Sequence, residues 1–191
     1  SGTGPPGSGK TNMLHAAILS ASRQYSPEEV RFLLVDFGGR SLRTLAPLKH
    51  VIGRATDVVD LQAQLINLEA ELQAFQADWQ QDDGDDLPAQ VPKTVIIFDD
   101  YDITSETLST HAELLRRLRD HVRLHSEFGL HVWVSGYLER IGDPLIKQLL
   151  LKRSGFGFSI RDSLHNLNVR VSDLPNEAMP EGRVFFAQQN I

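Results

Sequence analysis

Residues 4–11 read GPPGSGKT, and this stretch decides the fold. Gly4, Gly9, Lys10 and Thr11 stand at the fixed positions of G-x-x-x-x-G-K-[ST]. The glycines let the backbone wrap a phosphate, and successive N–H groups at a helix start point at its oxygens. Lysine adds a point charge for the β- and γ-phosphates, and the threonine hydroxyl is suited to magnesium. The alternative, a glycine-rich turn that binds nothing, sits poorly with the helix expected at 12–22. There Leu14, Ala17, Ile18 and Ala21 share one face. The phosphate-binding set is therefore Gly4, Pro5, Pro6, Gly7, Ser8, Gly9, Lys10 and Thr11, with Asn12 opening the helix.

Such a loop needs a partner, an apolar strand that ends in aspartate. Residues 94–104, TVIIFDDYDIT, supply it: Val95, Ile96, Ile97 and Phe98 lead into Asp99, the expected magnesium carboxylate. Asp36, after FLLV, is the competing candidate. Asp99 is preferred because a second carboxylate adjoins it and because it lies farther down the chain. Asp100 stands where a residue could polarise an attacking water, so Lys10 and Asp100 are the catalytic candidates. Asp100 reads equally well as a carboxylate that caps the next segment, and Asp102 reads as a cap.

Outward from these segments, strands and helices alternate. SPEE at 26–29 carries a helix start, with Ser as N-cap, Pro at the first position and a capping-box Glu. The strand RFLLVDF follows, bounded by Gly38 and Gly39. Leu61, Leu65, Leu68, Leu72, Phe75 and Trp79 recur at helical steps. A stripe of Leu108, Leu115, Leu118 and Val122 marks one more helix, HVWVS at 131–135 a strand, and 144–151 a short helix. GFGFSI at 155–160 and RVFFA at 183–187 read as strands, and LPNEAMPEGR at 174–183 as a connecting loop. The pattern predicts α/β architecture: a mostly parallel sheet sandwiched by helices. With 191 residues, one domain over 1–191 is expected. An apolar strand should precede the loop and none precedes Ser1, so the chain reads as a piece of a longer polypeptide.

Composition narrows the functions. A net charge of −6 offers no general attraction for nucleic acid, and ELLRRLRDHVRL at 113–124 is the densest basic stretch. No cysteines are present, which removes disulfides and thiolate metal sites. No run of about eighteen apolar residues occurs, so no membrane span is expected, and no signal peptide is visible. The acidic QQDDGDDLPAQ at 80–90 lacks the alternating ligand spacing of a calcium loop and reads as solvated surface. His121 and His125 are four apart, a zinc-compatible spacing, but without a third ligand they read as an exposed helix face. Ser135 and Tyr137, at a strand end, are placed either to sense a terminal phosphate or to pack and cap.

The ordered set of motifs resembles the FtsK/SpoIIIE family of P-loop ATPases, and within it the tandem ATPase domains of type VII secretion ATPases. LLVDFGGRSLRTLAPLKHVIG at 33–53 is similar to the D-F-G-G…L…L-P-H-V-G stretch of their second ATPase domain, with Lys49 in place of the proline. EFGLHVWVSGY at 127–137 and MPEGRVFF at 179–186 resemble two further family segments, so the likeness runs from Gly4 to about Phe186. It implies a RecA-like sheet that binds ATP and Mg2+, with Gly7, Gly9, Lys10 and Thr11 on the phosphates and Asp99 on the metal. It also implies a cytoplasmic domain of a membrane-anchored motor, partnered by neighbouring ATPase domains of the same polypeptide and by small helical secreted proteins. Direct membrane contact and DNA are not expected. Asp100 stands where active members have glutamate, SGYLER at 135–140 replaces the Ala-Thr-Gln-Arg-Pro run of DNA-translocating members, and Ser126 replaces an arginine. These departures point to a domain that binds ATP and hydrolyses it slowly if at all. The alternatives are a non-hydrolysing regulatory module and a DNA translocase.

Overall fold

A computed structural model describes residues 2–4, 6–81, 91–125, 129–137, 145–146, 155–158 and 184–187. β1 (Gly2–Thr3) leads through the glycine loop into α1 (Lys10–Gln24), followed by β2 (Val30–Val35), β3 (Val51–Ala55) and α2 (Val58–Gln81). β4 (Lys93–Phe98), α3 (Tyr101–Ser109), α4 (Ala112–His125), β5 (Leu130–Gly136), β6 (Gly155–Gly157) and β7 (Phe185–Ala187) complete the order. The strands form a sheet in the order β3-β2-β4-β5-β1-β6-β7, parallel throughout except where β6 meets β7. The position before the glycine loop is taken by the two residues of β1, paired with β5 on one side and β6 on the other.

Alternation along the central strands sorts the core. Phe32, Leu34, Val95 and Ile97 point to one face and meet Leu14 and Ile18 of α1, with Leu42 and Leu45 beside them. Leu33, Val35, Ile96 and Phe98 point to the other and meet Leu61, Leu65, Leu68 and Leu72 of α2, with Leu118 of α4. Both faces are apolar, so β2 and β4 read as continuous hydrophobic runs, as strands buried on both sides do. The expected faces of α1 and α2 are thus the buried ones, although the side chain of Trp79 lies outside the described residues.

Three expectations change, and one strand is unforeseen. SPEE begins no helix: Ser26 N–H does donate to Glu29 Oε2 at 2.8 Å, but β2 starts at Val30 and leaves a single turn. VIGRA forms the edge strand β3, a segment too short and too broken by Gly53 to announce itself. A Cβ at Gly53 would stand 2.3 Å from the terminal amide of Gln64 on α2, which would have to move aside. The stripe from Leu108 to Val122 is two helices, broken at Thr110, whose N–H and hydroxyl both turn back to Thr107 O. His121 and His125 are buried against α2 rather than exposed. The acidic run at 82–90 and the connecting loop at 174–183 lie outside the described residues, as does all of 144–151 except Leu145 and Ile146, both buried.

Candidate functional site

Strand register places the polar groups. Val35, Phe98 and Val134 lie abreast on β2, β4 and β5, so the next residues, Asp36, Asp99 and Ser135, emerge together at the carboxyl edge of the sheet. Ser135 in turn faces Gly2, which puts the start of the glycine loop at the same level. Ligands of open α/β sheets bind outside this edge.

The loop itself is shaped by glycine. Gly7 and Gly9 have φ of 77° and 97°, a left-handed backbone that suits residues without Cβ. Gly4 is needed for a different reason: a Cβ there would stand 2.6 Å from Phe158 Cβ and 2.9 Å from Ser8 Oγ. Gly9 is the N-cap of α1 and gives no side-chain cap, so no side chain closes off the first amides of the helix. Ser8 Oγ is buried with no hydrogen-bond partner. Lys10 is buried and its Nζ donates to Gly4 O at 3.0 Å, holding the ammonium within the loop.

Two segments 88 residues apart then meet, as Thr11 Oγ1 donates to Asp99 Oδ2 at 2.8 Å. Asp99 is fully buried, and its other oxygen, Oδ1, accepts from the Ser135 hydroxyl. Asp100 follows in a left-handed conformation, φ 47° and ψ 55°, the one non-glycine residue with positive φ among the described residues. Aspartate tolerates this region better than most residues. Burial and the nearby charges of Asp99 and Asp102 raise the Asp100 pKa above its ordinary value, while Lys10 acts in the opposite direction.

Geometry separates the other carboxylates. Asp36 is engaged by its own loop: it accepts from Gly39 N–H at 2.9 Å and Leu42 N–H at 3.1 Å, and it pairs with Arg54 at 3.6 Å. Asp100 occupies the N-cap position of α3 but makes no side-chain cap, so the capping alternative has no hydrogen bond behind it. Asp102 does not cap the helix by that route either; its Oδ1 accepts from Tyr137 N–H at 3.4 Å and ties α3 to the exit of β5.

The FtsK/SpoIIIE family model matches residues 3–136, well over half the chain. The chain belongs to the FtsK/SpoIIIE family. Among curated relatives, the type VII secretion system protein EssC of Staphylococcus aureus is 26% identical over 144 residues, covering 68% of this chain and 10% of that protein. The matched stretches span between 4% and 10% of the length of such relatives. Among solved structures, the cytoplasmic domain of the Thermomonospora curvata type VII secretion ATPase EccC superposes with a TM-score of 0.71 at 20% identity, covering 98% of this chain and 22% of that one. ATPases 2 and 3 of the same EccC, in complex with a signal sequence peptide, give 0.66 at 20% identity, covering 97% and 33%. These likenesses establish the P-loop ATPase fold and kinship with type VII secretion proteins.

Within this FtsK/SpoIIIE-family chain, the Ser135 bond to Asp99 is the contact that sequence reasoning did not single out. Its one signal was a hydroxyl at a strand end, which is common. The basic helix is electrically answered: Arg116 bonds Glu113 and Asp120, and Arg117 bonds Glu69. No cluster of three or more His, Cys, Asp or Glu able to hold a metal occurs among the described residues. No described helix is long and apolar enough to cross a membrane.

Proposed function

We propose that this chain is an ATP-binding domain of a type VII protein-secretion motor, holding Mg-ATP and hydrolysing it slowly. One observation carries the reading: Thr11 and Asp99 meet beside Lys10, so both halves of a magnesium–phosphate site lie together at the sheet edge. Thr11 donates its single hydroxyl proton to Asp99 and keeps its oxygen lone pairs for a metal. The uncapped start of α1 and the orphaned Ser8 hydroxyl offer donors to phosphate oxygens.

Mg2+ suits such a site, because it takes one or two protein oxygens and completes its octahedron with phosphate and water. Thr11 and Asp99 would hold it, and there it would neutralise the charge of the bound phosphates. Lys10 supplies the fixed positive charge. Asp100 is the candidate to orient water, and its side chain is one methylene shorter than the glutamate of active relatives. Misplacement by about 1 Å costs on the order of a hundredfold in rate, which supports slow turnover.

The wider setting is part of the same proposal: a cytoplasmic module of a membrane-anchored protein, adjoining further ATPase domains and serving secreted protein substrates. The EccC structure bound to a signal sequence peptide supports that class of cargo. A DNA-pumping role is disfavoured by the net charge of −6 and by the pairing of Arg116 and Arg117 with carboxylates. Calorimetry tests the reading. Mg-ATP should bind the unmodified chain and lose affinity in Lys10→Ala; equal binding by both would overturn it.

A further inference from the structure

We propose that Ser135 is a positioning residue for the magnesium carboxylate, acting through Asp99. The proposal rests on the reading of Lys10, Thr11 and Asp99 as a Mg-nucleotide site, and it assigns β5 a part in that site.

The sheet order requires something at this place. β5 lies between β4, which carries Asp99, and β1, which leads into the loop that carries Thr11. Asp99 must therefore reach over the end of β5 to meet Thr11. The β5 residue at that level is Ser135, one beyond the Phe98–Val134 pair and opposite Gly2. Ser135 is fully buried, and its hydroxyl donates to Asp99 Oδ1 while Thr11 donates to Oδ2.

The consequence follows from torsional freedom. The terminal torsion of aspartate is broad, so a carboxylate held by one donor still swings about that bond. Hydroxyls on opposite oxygens remove the swing and leave the Oδ2 edge facing Thr11 and the ion beside it. Alanine at 135 would leave a fully buried oxygen without its donor and release the rotation.

A titration with a fluorescent ATP analogue, in Mg2+ and in EDTA, tests the proposal on the full chain, Ser135→Ala, Asp99→Asn and the double variant. In the unmodified chain Mg2+ should tighten binding. Ser135→Ala should reduce that tightening roughly 5- to 10-fold while affinity in EDTA holds, and should add nothing in the Asp99→Asn background. Full retention of the Mg2+ effect in Ser135→Ala overturns the proposal and leaves the nucleotide site standing. So does an additive loss in the double variant, or an equal loss in EDTA, which would mark a merely structural role. Failure of the unmodified chain to bind the analogue in either medium would overturn the functional reading and this proposal together.

Discussion

At the carboxyl edge of the sheet, Asp100 feels the like charges of Asp99 and Asp102 and the opposing charge of Lys10. Between α2 and α4, Glu69 bonds Arg117 and lies 3.4 Å from His121, whose ring stands 5.5 Å from that of His125. Both clusters take polar groups out of water, yet their charges are arranged in opposite ways. In the helix cluster the Arg117 hydrogen bond lowers the Glu69 pKa, and burial holds both imidazoles below their ordinary value, hence neutral. In the edge cluster burial, and after it the like charges of Asp99 and Asp102, raise the pKa of Asp100, which also sits in a left-handed backbone conformation. Compensation marks architecture, whereas a partly buried carboxylate with a raised pKa among like charges marks a candidate functional site. The same contrast tells against a zinc reading of the histidines, since Glu69, the neighbouring carboxylate, already binds Arg117.

The two regions should respond to mutation in crossed fashion. Lys10→Ala should weaken Mg-ATP binding roughly 10- to 100-fold, the loss of a charge-assisted contact, with little change in melting temperature. Arg117→Ala should leave that affinity unchanged. If Arg117→Ala instead abolished binding in calorimetry while the fold survived, the division between the regions would break.

Next in size is the effect at residue 100. Asp100→Glu should raise ATP turnover about tenfold or more when the adjoining domain that completes the site is present. The longer side chain must still take up a left-handed backbone, at about 1–2 kcal/mol, so the gain should come with a lower melting temperature. Brisk hydrolysis by the unmodified domain, unchanged by glutamate, would contradict the account.

Smaller still is the stability carried by the helix cluster. Arg117→Ala removes a half-exposed ion pair worth about 1 kcal/mol, which for a chain of this size lowers the melting temperature by roughly 2–4 °C.

The subtlest contrast is in pH. His121 and His125 bind protons less readily folded than unfolded, so their contribution to stability is present above 6.5 and is lost as pH falls below it. Around them stand Glu69 and Gln76 of α2 and Arg117 and Asp120 of α4, of which Glu69 and Asp120 favour the charged ring and Arg117 opposes it. Asp100 has the opposite sign: it binds a proton more readily folded, so its contribution is present in acid and is lost as pH rises from 3.8 through its raised pKa. Denaturation followed across pH should flatten just below 6.5 in His121→Asn and just above 3.8 in Asp100→Asn. Identical profiles would erase the distinction.

Much of this was legible beforehand because it rests on local chemistry or strict periodicity. The glycine loop, the apolar run into Asp99 and the buried stripes of α1 and α2 each repeat at the interval their structure demands. What escaped depends on distant partners. VIGRA is a strand because β2 offers it an edge. SPEE forms its capping bond without a helix because β2 begins at once. His121 and His125 are buried by Gln76 and Glu69 of a helix about fifty residues earlier, and spacing along one helix carries no trace of that. The bond from Ser135 to Asp99 belongs to the same class: the residue reads as a strand-end hydroxyl, but its partner is set by register.

The central claim is that Thr11 and Asp99 serve as one metal-holding unit, and a double-mutant cycle on Mg-ATP affinity tests it most directly. Thr11→Val and Asp99→Asn should each weaken binding by about tenfold. Because either change removes the same unit, the double variant should lose about tenfold as well. A loss near one hundredfold, the product of the two singles, would mean that the residues act independently and would contradict the account.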